Sequence, residues 1–163
     1  IKGKFYNPTK GELTFEEMIQ EIFDWMQEKP EKTYEVIVGC DSSSDKEPHF
    51  PIAVVVLRKN EGGRFFLRRV HYPSRFFNWK QRILQEVVLS CELALSLREK
   101  MKEYSQVFTN LNYEFKYIHA DIGENGRTKD MIREVTGLIR GNGFEPKIKP
   151  ESYVASVVAD RYS

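Results

Sequence analysis

The stretch Val36-Ile37-Val38-Gly39-Cys40-Asp41-Ser42-Ser43-Ser44 decides the fold. β-Branched residues run into Gly39 and Cys40, and Asp41 stands where the apolar run ends. A continuous apolar run closed by a polar cluster predicts a strand buried on both faces, and therefore a central one. Strand alternation puts Val36, Val38 and Cys40 on one face and Ile37, Gly39 and Asp41 on the other. Asp41 thus emerges at the margin of the interior, where a carboxylate is costly unless a cation meets it. On this stretch alone Asp41 reads equally well as a turn residue bonded to the serine loop.

Before the strand, residues 1–13 carry Asn7-Pro8 and Gly11 and read as a loose lead-in. Thr14 and Glu17 form a capping box, with Leu13 and Met18 spaced as a hydrophobic staple. Phe15, Met18, Ile19, Ile22, Phe23 and Met26 follow at helical spacing until Lys29-Pro30 stops the helix. This apolar face either covers the domain or forms a homodimer contact. Beyond the serine loop, Ile52–Leu57 and Arg64–Tyr72 flank Asn60-Glu61-Gly62-Gly63 and predict a hairpin, so that three consecutive strands run antiparallel.

A long helix is expected from about Asn78, with Ile83, Leu84, Val87, Val88, Cys91, Ala94 and Leu95 on one stripe and Glu86 on its flank. Glu92 lies nearer the polar side. Phe115–Asp121 is the next strand. Reached through a helix, it should pair in parallel with the first strand by a right-handed crossover. Alternation puts Phe115, Tyr117, His119 and Asp121 on one face. A helix capped by Thr128 and stopped by Gly141, an edge strand within 144–149 containing Pro146, and a last helix from Tyr153 to Tyr162 complete the chain.

The 163 residues suit one domain, read as an N-terminal helical extension (1–33) followed by an α/β domain (34–163). No run approaches the ~20 apolar residues of a membrane span. Cys40 and Cys91 lie in apolar segments without metal-ligand spacing, as buried thiols of a cytoplasmic protein would. Net charge is +1, yet Arg58–Arg82 holds eight Lys and Arg against Glu61 alone, leaving −6 on the remainder. That basic run is interleaved with Phe65, Phe66, Tyr72, Phe76, Phe77 and Trp79. It reads either as a nucleic-acid surface, with Arg68, Arg69, Arg75 and Lys80 on phosphates, or as a solvated hairpin with partly buried aromatics.

The acids fall at the end of the first strand (Asp41), on the first long helix (Glu86), at the end of the fourth strand (Asp121) and on the last helix (Asp160). Adjacent parallel strands would bring Asp41 and Asp121 together. Four converging carboxylates repel, and a pair of Mg²⁺ or Mn²⁺ ions is the usual remedy. Such a pair clamps the attacking and leaving oxygens of a phosphodiester. His119 reads as a core histidine or as a neighbour of such a site. No P-loop or dinucleotide fingerprint is present.

The strand order and the Asp-Glu-Asp-Asp series resemble the ribonuclease H fold. The strings VGCDSSS, IHADIG and KPESYVASVVADR are similar to those of YkuK-type ribonuclease H-like proteins, a family of predicted nucleases. The resemblance spans residues 34–163. It implies a five-stranded mixed sheet, three antiparallel strands and then parallel ones, flanked by helices. It also implies that Asp41, Asp121, Asp160 and a helical glutamate, Glu86 with Glu92 as the alternative, bind two metal ions and hydrolyse RNA or DNA. Ribonuclease H usually follows its first Asp with Gly, whereas Ser42-Ser43 stand here, which implies a different substrate approach. The competing expectation is a non-catalytic nucleic-acid- or protein-binding module on the same fold.

Overall fold

The computed structural model describes residues 3–40, 49–71 and 78–153. Its strands are β1 (Phe5–Asn7), β2 (Gly11–Leu13), β3 (Thr33–Cys40), β4 (His49–Arg58), β5 (Gly63–His71), β6 (Asn112–His119) and β7 (Glu145–Lys147). Its helices are α1 (Phe15–Glu28), α2 (Trp79–Ser105) and α3 (Ile132–Gly141), the last entered through a 3₁₀ turn at Lys129–Met131. One mixed sheet runs β2-β1-β5-β4-β3-β6-β7.

β3 is central, as its apolar run requires. It pairs antiparallel with β4 and parallel with β6, while β4 pairs antiparallel with β5 and β6 parallel with β7. The β4–β5 turn uses left-handed backbone at Asn60 (φ 65°) and Gly62 (φ +85°), which a short polar residue and a glycine tolerate best.

The expected five-stranded sheet is enlarged to seven strands. The supposed lead-in folds as the β1–β2 hairpin and pairs with β5 through Tyr6 opposite Leu67. Asn7 explains why polar residues do this. Its Oδ1 accepts the amides of Thr9 and Lys10 to form the turn, while its Nδ2 donates to the carbonyl of Phe65 on β5. A side-chain cap at the turn thus also ties the hairpin to the sheet.

α1 begins at the expected capping box, with Glu17 N donating to Thr14 Oγ1 and Thr14 N to Glu17 Oε1. Its apolar face (Phe15, Met18, Ile19, Ile22, Phe23, Trp25 and Met26) is buried in one cluster with Val36 and Val38 of β3 and Leu97 of α2. Phe5 of β1 and the apolar face of α1 therefore pack into the same core as the sheet. The face that suggested a dimer contact is covered within the chain.

A second correction concerns β6. Val36 faces Phe115 but Ile37 faces Tyr117, so Lys116 is an inserted residue, a β-bulge. Before it Phe115 packs on the helical side; after it Ile118 does. His119 lies in register with Gly39 and contacts Tyr153, which packs on the opposite face with Ile37, Ala53 and Val55. Phe115 and His119 therefore point to opposite sides of the sheet, not to one.

Candidate metal and nucleic-acid site

α2 lies over the C-terminal ends of β3 and β6. Asn78 caps it by accepting the Gln81 amide at 2.9 Å. Helical spacing then puts Arg82, Glu86 and Ser90 on one line, each a turn apart. All three are buried, with Glu86 4% exposed, although polar side chains normally leave such a line. Glu86 faces a narrow cleft shared with Ile83, Cys40, Ala120 and Asp121. Cys40 is the residue before Asp41, so the cleft opens at the point where β3 leaves the sheet.

Asp121 follows the end of β6. The loop after it is closed by Thr128, whose Oγ1 accepts the Gly123 amide at 3.0 Å instead of capping the next helix. A side chain at Gly123 would meet Lys149 Cβ at 2.9 Å, closer than real contacts allow. Lys149 N donates to Ile122 O at 2.8 Å, and Lys149 Nζ reaches Asp121 Oδ1 at 3.2 Å. Backbone and side chain together place an ammonium on this carboxylate.

Glu86 has its own cation. Arg82 Nε lies 3.3 Å from Glu86 Oε1, and the side chains are 2% and 5% exposed. The two atoms are close enough for an ion pair but are not aligned as a hydrogen bond, so proximity of charge holds them. Repulsion among the acids is therefore not the whole charge balance, because two cations of the chain stand beside them. Their signals were an i,i+4 Arg–Glu spacing and a lysine just before Pro150.

His119 is a core residue. Its Nδ1 accepts the Tyr153 amide at 3.2 Å, so a neutral ring carries its proton on Nε2. Burial, with nearby Lys147 adding to it, pulls its pKa from 6.5 to about 4. Burial, with Glu92 beside it, likewise raises the Cys91 thiol to about 11, so this thiol stays protonated and unreactive at neutral pH.

The remaining expected residues divide. Glu92 is exposed on α2, away from the cleft. Asp41, Asp160 and Arg75 lie outside the described residues. Among the described residues no group of three metal-binding side chains is assembled; Glu86 and Asp121 are the acids brought together.

The described residues of the basic run do not share one surface. Arg58 is buried over the Trp25 ring at 4.2 Å, donating to Tyr34 Oη and Trp25 O. Arg82 is buried with Glu86, and Arg68 lies over Phe5 on the helical side. Arg69 instead lines an open groove with Lys4 and Tyr6. Lys80 is exposed at the start of α2, and Arg127 joins it over the Trp79 ring at 4.7 Å. Arg127 reaches that ring from the loop that Thr128 closes.

Three antiparallel strands, β5-β4-β3, continued in parallel by β6 and β7, with an acid after β6, are the arrangement of ribonuclease H-like proteins. The family pattern described as "Ribonuclease H-like" matches residues 17–163, and the chain belongs to that family. It is 28% identical over 168 residues to the uncharacterized protein YkuK of Bacillus subtilis (strain 168), covering 98% of this chain and 96% of that relative. No solved structure matches it. Among the described residues no helix is long and apolar enough to cross a membrane.

Proposed function

We propose that the protein is a metal-dependent nuclease that hydrolyses phosphodiester bonds of RNA or DNA. The observation that carries this reading is the cleft at the ends of β3 and β6 that buried Glu86 and Asp121 both line. Each of these acids also carries a cation of the chain, Arg82 or Lys149, and carboxylate oxygens are the donors that Mg²⁺ or Mn²⁺ prefers. Asp41 and Asp160 complete the donor set that the family resemblance implies. A divalent ion held there would supply an activated water and stabilise charge on the phosphate.

The chain's own residues do the rest. Glu86 and Asp121 would hold the ion from a helix and a strand end, two rigid supports. The loop closed by Thr128 fixes the approach beside Asp121. Lys80 and Arg127, both over the Trp79 ring, offer cations for phosphates. Arg69, with Lys4, offers a further phosphate contact on the hairpin side.

Incubating the purified chain with single- and double-stranded RNA and DNA, a hybrid and a junction tests this. Cleavage with Mg²⁺ or Mn²⁺ that chelator stops, and that Asp121→Asn abolishes, is expected. Binding without cleavage in either metal would leave a binding module on the same fold.

A further inference from the structure

The β1–β2 hairpin adds two strands to the five that the ribonuclease H-like resemblance implies, and its outward side borders a groove. Strand alternation sorts the residues there. In β1, Phe5 and Asn7 turn into the protein while Tyr6 turns out. In β5, Phe66 packs with the helices while Leu67 lies on the opposite face of the sheet. Tyr6 stands between Leu67 and Glu12, in register with both. With Lys4 and Arg69 these residues line an open groove of about 520 Å³, within the range of small-ligand sites.

The chemistry of the groove suits an unpaired nucleic-acid strand. Among the described residues Tyr6 is the one aromatic side chain left exposed, at 41%. Lys4 and Arg69 are exposed as well, and neither forms an ion pair with a described carboxylate. An open ring bordered by such cations matches the two halves of a nucleotide, a base face on the ring and a phosphate on the cations. Bases inside a duplex are already stacked on one another, so only an unpaired base can use the ring. Glu12, on the side of Tyr6 away from Leu67, repels a second phosphate backbone.

The groove also lies at the end of the sheet where the cleft opens. Arg68 is in register with Ile52, and Ile52 with Cys40, which lines the cleft. Arg69 stands one residue beyond that row, two strands from β3, or about 10 Å across the sheet. At the ~3.4 Å per phosphate of a stacked strand, about three nucleotides cover that distance. We propose that the groove of Lys4, Tyr6 and Arg69 binds single-stranded nucleic acid and leads one strand toward the Glu86–Asp121 cleft. This names the substrate class of the nuclease reading above and rests on it. Tyr6 is the stacking platform, and Lys4 and Arg69 neutralise the backbone.

Fluorescence anisotropy of the full chain in chelator, with labelled single-stranded and duplex oligonucleotides of equal length, tests this without turnover. Wild type is expected to bind the single strand roughly tenfold or more tightly than the duplex. Tyr6→Leu keeps apolar bulk beside Leu67 but removes the flat ring. It should lose about fivefold or more on the single strand and nothing on the duplex, and Tyr6→Phe should keep wild-type affinity. Lys4→Ala with Arg69→Ala should flatten the single-strand salt slope by about one to two. Equal or tighter binding of the duplex by wild type would overturn the proposal. So would a Tyr6→Leu protein, folded by circular dichroism, with wild-type single-strand affinity. Where Tyr6→Leu does not fold, an unchanged salt slope in the Lys4 and Arg69 double variant, both at exposed positions, would overturn it. Metal-dependent cleavage by wild type would in any of these cases keep the nuclease reading. The expected affinities without cleavage in Mg²⁺ or Mn²⁺ would instead keep the groove and remove that reading.

Discussion

Glu86→Gln should destabilise the metal-free protein. Considered as one of several crowded acids, Glu86 would be expected to relieve repulsion when neutralised and so to stabilise the fold. The structure reverses that sign. The carboxylate lies 3.3 Å from Arg82, and both side chains are almost fully buried. Breaking a buried ion pair by removing one partner costs about 3–5 kcal/mol, because the remaining charge stays out of water. Gln keeps the shape and offers Arg82 a carbonyl oxygen, so a loss of about 1–3 kcal/mol is the expected range. For a domain of this size each kcal/mol shifts Tm by roughly 2–4 °C, which makes a fall of roughly 2–12 °C. Thermal melts in chelator read this directly. Glu92→Gln, at an exposed position, should stay within about 0.5 kcal/mol of wild type. A higher Tm for Glu86→Gln than for wild type in chelator would show that repulsion outweighs the Arg82 pair, and the reasoning would be wrong.

Further expectations concern other parts of the molecule. Arg58→Met removes two hydrogen bonds from a buried guanidinium and its stacking on Trp25, and should cost on the order of 3 kcal/mol in denaturant unfolding without touching nucleic-acid affinity. Lys80→Ala with Arg127→Ala should weaken nucleic-acid binding and flatten its salt dependence by up to about two phosphate contacts, measured by fluorescence anisotropy at several salt concentrations; an unchanged slope would move the interface elsewhere. His119 is held at about 4 against 6.5 when unfolded, so the unfolded chain takes up a proton first. Its stabilising contribution is whole above pH 6.5 and is lost as pH falls toward 4, and His119→Gln should flatten the pH dependence of Tm across that window.

Where the sequence was legible, a local pattern carried the information. The Val36–Cys40 run announced a central strand, and the Thr14–Glu17 spacing announced a cap; both depend on residues near one another in the chain. The misses are non-local. Asn7 is an ordinary turn residue until the carbonyl of Phe65, 58 residues away, accepts its amide. The bulge at Lys116 leaves no local signature, because an inserted residue shows only in the register with β3. Arg82 read as part of a basic surface because charge counted along the chain ignores which side of a helix it occupies. Glu86 and Asp121 could be named from the order of acids, but their cations depend on α2 and on the return of the chain after β7.

The seven-stranded sheet also has two unusual margins. β2 and β7, at its outer edges among the described residues, are three residues each, and β7 carries Pro146 where a ladder amide would be needed. Without the β1–β2 hairpin, the nine-residue β5 would present a long row of open amides and carbonyls, the kind of template on which a second chain can add a strand. The hairpin interrupts that row at Leu67, opposite Tyr6, with a strand too short to be extended in turn. Among the described residues, short and interrupted edges of this kind disfavour growth of the sheet from one molecule to the next, which is a defence against aggregation as much as a feature of the fold.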